Sequence, residues 1–339
     1  MATIKDVAKK AGVGVSTVSK AYNNYSDVSA STKAKIIAAA KELNYMPNKS
    51  AVELSQGQRK YIGVIVKETL QGEFHMRLIM GVHGRTEQHG YEMVMYTTEH
   101  IKSKKLSYVE FCRFHSLVGA IVSGLDKDDP YLQELTKSKT PCVLIDIEDY
   151  GENTAFVATD NKKASYAVFE LLYQHGHRHI CHLTGGMYAD VSHVRKDAFA
   201  KAASDYGVPS ANLIYVDCDF DEALAYQNTQ KILEQHPELT AIYAASDTMA
   251  LGAMRAIQAH GYNIGEDFAL IGFDGISILE YTSPPIATVE QNLVKMGEIA
   301  FDTLLKIYNG QRFEQSNYVG FTLKKRKSIN QRNLTDGQH

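Results

Sequence analysis

No apolar run in the chain approaches the roughly twenty residues that a transmembrane helix needs, so the sequence predicts no membrane span. Cysteine is scarce as well. The four thiols, Cys112, Cys142, Cys181 and Cys218, are scattered without C-x-x-C spacing, which indicates neither a zinc site nor a disulfide framework. They read as reduced, mostly buried thiols of a cytosolic protein. A glycine-rich phosphate cradle is also missing. Gly12-x-Gly14 lies in a basic N-terminal segment, Thr184-Gly185-Gly186 is an incomplete run, and no P-loop or G-x-G-x-x-G follows a candidate strand. Serine, histidine and aspartate are all present, but their local context favours no triad. These absences argue against a nucleotide-dependent enzyme and lead to an expectation of no catalysis, no cofactor and no resident metal.

What is present is an uneven charge. The first sixty residues hold ten Lys/Arg against four acids, a net of +6, while the whole chain is at −3, which leaves −9 for residues 61–339. Release of counterions from phosphates gives a small basic head an affinity for nucleic acid that an acidic body lacks.

The order of residues in that head is informative. Thr3-Ile4-Lys5-Asp6 is a helix start with a capping threonine and an acid three residues on. Ile4, Val7, Ala8 and Ala11 recur at i, i+3, i+4, i+7, one apolar stripe. Gly12 breaks this helix, and a second follows over Val15 to Tyr22 after a very tight turn, the arrangement of a helix-turn-helix. A third helix from Ser29 to Leu43, with Ile36, Ala40 and Leu43 on one face, closes a small core over Val18 and Tyr22.

The segment TIKDVAKKAGVGVSTVSKAYNN, together with Leu43-Asn44-Tyr45-Met46-Pro47-Asn48, resembles the DNA-binding headpiece of the LacI/GalR family of bacterial transcription regulators. The resemblance implies that Val15, Ser16 and Lys20 face base edges in the major groove. Thr17, Ser19 and Asn23 match phosphate-contacting or supporting positions, with Thr3 in the same DNA-binding set. Chemistry agrees: Lys20 can donate to guanine O6/N7, Ser16 can bond either way, and Val15 suits a thymine methyl. The competing reading of Val15 is a core valine. Gly14 stands where the family usually has a serine cap, which a glycine can replace.

Residues 47–60 read as hinge and linker. Asn48 to Leu54 is a helix too short to be stable alone. In the family the equivalent segment folds on operator and a leucine at the position of Leu54 wedges into the minor groove. The family's A-R-x-L has become Val52-Glu53-Leu54, with an arginine lost and an acid gained.

From residue 61 apolar runs alternate with amphipathic segments: Tyr61 to Val66, Tyr91 to Thr97, Val118 to Ser123, Pro141 to Ile147, Ile180 to Thr184, Ala241 to Ala245 and Phe268 to Phe273. Such βα repetition predicts parallel sheets covered on both faces, and its length predicts two cores. The fold class expected is a small all-α helix-turn-helix headpiece plus an α/β body. The family's body resembles type I periplasmic sugar-binding proteins, two doubly wound parallel-sheet subdomains with the ligand between them at the carboxyl ends of the strands. Crossovers are expected near Asp160-Asn161, Gln291-Asn292 and Phe321-Thr322. The expected division is 1–46 headpiece, 47–60 hinge, 61–160 with 292–321 as one effector subdomain, and 161–291 with 322–339 as the other.

Positions lining the family's cleft correspond to Phe74, Asp160, Arg195, Phe220, Ser246, Asp247 and Asp274. Charged groups with an aromatic plate suit the vicinal hydroxyls and apolar face of a sugar, so a sugar or sugar phosphate is the expected effector. The purine-sensing branch has an arginine where this chain has Ala189 and a threonine where it has Val191. Ser246 replaces a frequent asparagine, and Lys67-Glu68-Thr69-Leu70-Gln71-Gly72 replaces the usual P-D-I-x-N-P loop. The densest set of possible metal ligands, His175, His177, His179 and His182, can be read as a metal site on an extended segment. The better reading is that Gly176-His177-Arg178 resembles the family's G-H-R turn between a helix and the next strand.

The reading that follows is a cytoplasmic, ligand-responsive repressor of carbohydrate-utilisation genes that binds double-stranded operator DNA. The palindromic operator mirrors a homodimer. The tetrameric member's C-terminal leucine heptad has no counterpart in residues 333–339, so a dimer is expected. The N-terminus itself opens the head, which argues against a signal peptide. Alternatives are a protein corepressor docking on the body, a non-sugar effector such as a nucleoside, and an enzyme on the same scaffold.

Overall fold

The computed structural model describes residues 2–22, 25, 27–45, 61–67 and 72–329. The chain forms two compact units, Met1–Arg59 and Lys60–His339.

In the first unit, α1 (Ile4–Ala11), α2 (Val15–Tyr22) and α3 (Ala30–Glu42) surround a core of Val7, Ala8, Val18, Ala21, Ile36, Ala39 and Ala40. Their apolar spacing dictates this. Each helix turns one narrow stripe inward, and Ile4, Ala11, Tyr22 and Leu43 seal its margins. The Asp6 carboxylate accepts from the Thr3 amide at 2.8 Å and the Thr3 hydroxyl at 2.7 Å, which holds the start of α1. Gly12 ends α1 in the left-handed region at φ 68°, a conformation that costs glycine little. The Gly14 carbonyl then accepts from Thr17 and Val18 as α2 begins. Asn23, Leu54 and the expected hinge helix lie outside the described residues.

The second unit holds two sheets, each of six strands among the described residues. The first is entered through β1 (Tyr61–Val66), α4 (Glu73–His89), β2 (Glu92–Thr97), α5 (Thr98–Ser103), α6 (Tyr108–Phe114), β3 (Gly119–Ser123), α7 (Pro130–Lys137), β4 (Cys142–Ile145) and β5 (Thr154–Thr159). The second follows with α8 (Asn161–Gln174), β6 (Ile180–Thr184), α9 (Asp190–Asp205), β7 (Leu213–Asp217), α10 (Glu222–Gln235), β8 (Ala241–Ala244), α11 (Asp247–Ala259), β9 (Ala269–Asp274) and β10 (Ala287–Gln291). The chain then returns through α12 (Leu293–Tyr308) and β11 (Ser316–Val319) to the first sheet, and ends its described course in β12 (Phe321–Lys324).

The orders are β11-β5-β4-β3-β1-β2 and β12-β10-β9-β8-β6-β7. All pairings are parallel except β12 on β10. Central strands such as β3, β4 and β9 are buried along their whole length, as strands with helices on both faces must be. The order reverses between β1 and β3 in one sheet and between β6 and β8 in the other, and loops at such switch points diverge to leave a crevice.

Two of the three passages between sheets follow Thr159 and Gln291. The third falls at Gly320, not at Phe321-Thr322: Phe321 already pairs with Gln291 in the second sheet. Returning to the first sheet, α12 lies directly on α4. A Cβ on Gly81 would sit 2.0 Å from the Val294 carbonyl oxygen, and one on Gly297 2.2 Å from that of Leu78. The two glycines let the helix backbones touch.

Candidate functional site

A cavity of about 470 Å³ opens between the carboxyl ends of the two sheets. Segments after β1, β3 and β4 supply one wall, and segments after β6, β7, β8 and β9 supply the other. The walls are tied across the crevice. The Lys67 ammonium sits 3.5 Å over the Tyr188 ring. Glu73 on α4 accepts from the Ser277 amide (2.8 Å) and hydroxyl (2.9 Å), and Arg77 donates to the Gly275 carbonyl at 3.0 Å. Asp190 lies 3.5 Å from the Lys127 ammonium and accepts from the Glu148 amide at 3.2 Å.

Of the residues expected to meet a ligand, Phe74, Arg195, Phe220, Ser246 and Asp274 line this cavity. Arg195, only 3% exposed, donates through Nε to Asn161 Oδ1 (2.9 Å) and through Nη1 to the Ala245 carbonyl (2.6 Å), and its guanidinium lies 3.6 Å over the Phe273 ring. Phe220 packs flat on Gly185, where a Cβ would meet the ring at 2.0 Å, so the glycine run noticed in the sequence seats an aromatic plate. Ser246 caps α11, its hydroxyl oxygen accepting from the Met249 amide at 3.2 Å, which leaves its proton to donate. Asp274 ends β9 at φ 128°, a backbone region that side chains other than glycine rarely occupy, and such strain is held only where surroundings enforce it. Burial and the neighbouring Asp247 carboxylate raise its pKa.

Two residues are placed differently. Asp160 is not part of the lining: its carboxylate caps α8 by accepting from the Lys163 amide at 3.1 Å and pairs with the Lys163 ammonium at 2.8 Å. Asp247 is fully buried behind the wall. There it accepts from the Gly275 amide (2.6 Å), the Ile276 amide (2.8 Å) and the Thr288 hydroxyl (2.6 Å), so it holds the turn that presents Asp274.

Residues that sequence reasoning did not single out complete the site. Asp146, at φ 56° beyond β4, faces the cavity and accepts from Asn161 Nδ2 at 3.2 Å. Burial raises its pKa, opposed by the charge of Arg195 and the Asn161 amide. Asn161 and Gln291 stand at the first two crossovers. Asn161 joins Arg195 to Asp146, while Gln291 donates to Asp274 Oδ1 at 2.8 Å and accepts from the Thr159 hydroxyl at 2.5 Å. Three ionisable groups of the cavity are thus bonded to the segments about which the two sheets are connected. A one-dimensional pattern gives no sign of this, because the partners are brought together only by the crossovers.

In the head, α2 turns Val18 and Ala21 inward and leaves Val15 (42% exposed), Ser16 and Lys20 outward, so Val15 is not a core residue. Thr17 and Ser19 are half-buried and Thr3 is exposed. The Lys20 ammonium pairs with the Asp27 carboxylate.

The histidines divide among separate roles. His177 Nδ1 meets the Thr240 hydroxyl at 3.1 Å, whereas His182 stacks on Tyr243 with 4.2 Å between ring centroids and burial lowers its pKa to about 3. Arg178 donates to the Tyr173 and His177 carbonyls, which fixes the turn before β6. Among the described residues no three His, Cys, Asp or Glu side chains converge as metal ligands, and no helix is long and apolar enough to cross a membrane. All four cysteines are buried and unpaired.

A three-helix head with an exposed second helix, joined to a two-sheet body with a polar crevice, defines a DNA-binding regulator with a ligand-binding body. Residues 3–48 match the bacterial regulatory proteins of the lacI family, and residues 169–329 match a periplasmic binding protein-like domain. The chain is 31% identical over 310 residues to the HTH-type transcriptional regulator MalR of Clostridium butyricum, covering 90% of this chain and 92% of that protein. It is 30% identical over 307 residues, with the same coverage, to the transcriptional repressor PurR of Vibrio vulnificus. Among solved structures, the Lac repressor dimer bound to operator and the anti-inducer ONPF superposes with a TM-score of 0.86 at 27% identity, covering 97% of this chain and 99% of that one. A complex of the transcriptional regulator CelR with cellobiose superposes with a TM-score of 0.73 at 26% identity, covering 97% and 100%. The chain belongs to the LacI family of bacterial regulatory proteins.

Proposed function

We propose that this protein is a cytoplasmic, non-enzymatic repressor that binds a palindromic operator as a homodimer and changes its hold on DNA when a carbohydrate occupies the cavity. The carrying observation is that Arg195, Asp146 and Asp274, the polar groups available to ligand hydroxyls, are each bonded to Asn161 or Gln291 at the crossovers. A ligand that draws on these groups favours one relation between the sheets over the other, which is the differential contact that allostery requires. A carbohydrate is supported by the plates of Phe220 and Phe74, by the Nη2 arm of Arg195, and by the cellobiose complex of the similar CelR. Ala189 and Val191 both line the cavity without an arginine or a threonine, which speaks against a purine despite the similarity to PurR.

On DNA, Val15, Ser16 and Lys20 read base edges, Thr3, Thr17, Ser19 and Asn23 meet or support phosphate contacts, and Leu54 is the minor-groove wedge. The domain assignment that accompanies this reading is 1–46 headpiece, 47–60 hinge, 61–160 with 292–320, and 161–291 with 321–339. Selection from a random double-stranded library tests it. Wild type should recover a palindrome, and Lys20→Ala should lose discrimination at one base per half-site by about 1 to 3 kcal/mol. Recovery of no palindrome, or of RNA in its place, would sink the reading.

A further inference from the structure

Beyond the choice of a carbohydrate, and resting on that reading, we infer that the cavity selects a hydroxyl-rich ligand bearing a positive charge, an amino sugar, and rejects sugar phosphates. Six carboxylic side chains line it, Glu73, Asp146, Asp190, Asp219, Asp221 and Asp274, against the two cations Lys67 and Arg195. Glu73 is offset by Arg77 and Asp190 by Lys127. The other four, among the described residues, have no Lys, Arg or His within ion-pair distance.

Arg195 partly offsets Asp146 and Asp274, holding both pKa values down against burial, while its Nε and Nη1 bond the neutral oxygens of Asn161 and Ala245. Lys67 stands over the neutral Tyr188 ring. The carboxyls still outnumber the cations, and Asp219 and Asp221 have no ion-pair partner among the described residues. Arg195 is 3% exposed, and only its Nη2 has no partner among the described residues. One N–H fork arm suits a ligand hydroxyl or ring oxygen. It does not suit a phosphate, which needs bidentate or multiple donors and would enter against a surplus of carboxylates. Asp219 and Asp221 lie at the mouth and Asp146 and Asp274 lie deeper, so a ligand ammonium meets negative charge on entry and, at the floor, carboxyls that ionise as it arrives. Burial keeps the Asp146 and Asp274 carboxyls above the usual range, so an arriving cation should also displace protons from them.

The test is isothermal titration of the full-length protein at pH 7 and low salt with glucosamine, galactosamine and mannosamine, each beside its parent hexose and its 6-phosphate. At least one amino sugar should bind about tenfold more tightly than its parent. That margin should shrink at high salt and in Asp146→Asn and Asp219→Asn, two variants at different depths, so that misfolding of one does not decide the matter. Binding should release protons, seen as heats that depend on the buffer's ionisation enthalpy. A hexose equal to its amine, or a 6-phosphate that binds most tightly, overturns the inference while leaving the carbohydrate reading intact. Binding of no member removes the carbohydrate reading and the inference with it.

Discussion

Replacing Asp247 by alanine should show that this residue builds the cavity without touching its contents. The carboxylate is wholly buried and is the acceptor for three donors, the Gly275 and Ile276 amides and the Thr288 hydroxyl, at 2.6 to 2.8 Å. Truncation leaves the two amides without an acceptor and the Thr288 hydroxyl with only the Val289 carbonyl at 3.4 Å. At about 1 to 3 kcal/mol for each buried unsatisfied donor, the loss should be about 2 to 6 kcal/mol. Asp247→Asn is the control, because its remaining carbonyl oxygen can still accept from the two amides, and the Thr288 hydroxyl can turn to accept from the new NH₂. Its cost should stay near 1 kcal/mol. Urea unfolding followed by circular dichroism at 222 nm measures both. In Asp247→Ala the turn at Gly275 and Ile276 is released, so Asp274 loses its enforced backbone and effector binding should fail as well. A loss below 1 kcal/mol for alanine, or equal losses for alanine and asparagine, would refute the assignment of Asp247 to scaffolding.

Two further outcomes follow from the buried polar groups. His182 has a folded pKa of about 3 against roughly 6.5 unfolded, so the unfolded chain takes up the proton first and stability drains as pH falls below 6.5; between pH 7 and pH 5 this amounts to about 2 kcal/mol. The raised carboxyls of Asp146, Asp247 and Asp274 act with the opposite sign, favouring the fold as pH falls, so the histidine's share is read as the difference between wild type and His182→Phe in urea midpoints at the two pH values. Gln291→Leu removes the bond to Asp274 and leaves the Thr159 hydroxyl only the Met296 thioether at 3.6 Å; ligand should still bind within a few-fold, but its effect on operator affinity, measured by fluorescence anisotropy, should fall by more than half.

The parts of this molecule that were legible in the sequence are those in which one periodicity decides the outcome. The stripe Ile4, Val7, Ala8 and Ala11 could bury itself in only one way, and the apolar runs of β1, β3, β6 and β9 could only be central strands. β11 is a part-exposed edge strand with little apolar character, and Thr288, Glu290 and Gln291 interrupt the run of β10; β7, although it holds Leu213-Ile214-Tyr215-Val216, is an edge strand buried only by half. At the cavity, resemblance located Arg195, Phe220, Ser246 and Asp274, whereas Asp146, Asn161 and the Lys67–Tyr188 contact arise from chain segments distant in sequence. Asp160 and Asp247 each lie one step behind the cavity lining. Asp160 precedes the crossover residue that meets the ligand wall, and Asp247 supports the aspartate that faces it.

The central claim is that occupancy of this cavity is transmitted to DNA through Arg195. Anisotropy titrations of a selected operator with wild type and Arg195→Ala, with and without an effector that raises the wild-type melting temperature, test it most directly. Wild-type affinity should change by about 5- to 150-fold, a coupling of 1 to 3 kcal/mol, while Arg195→Ala binds operator as wild type does and shows no change when effector is added. An Arg195→Ala response equal to that of wild type, or a cavity-bound ligand that leaves wild-type operator affinity unaltered, would contradict the account.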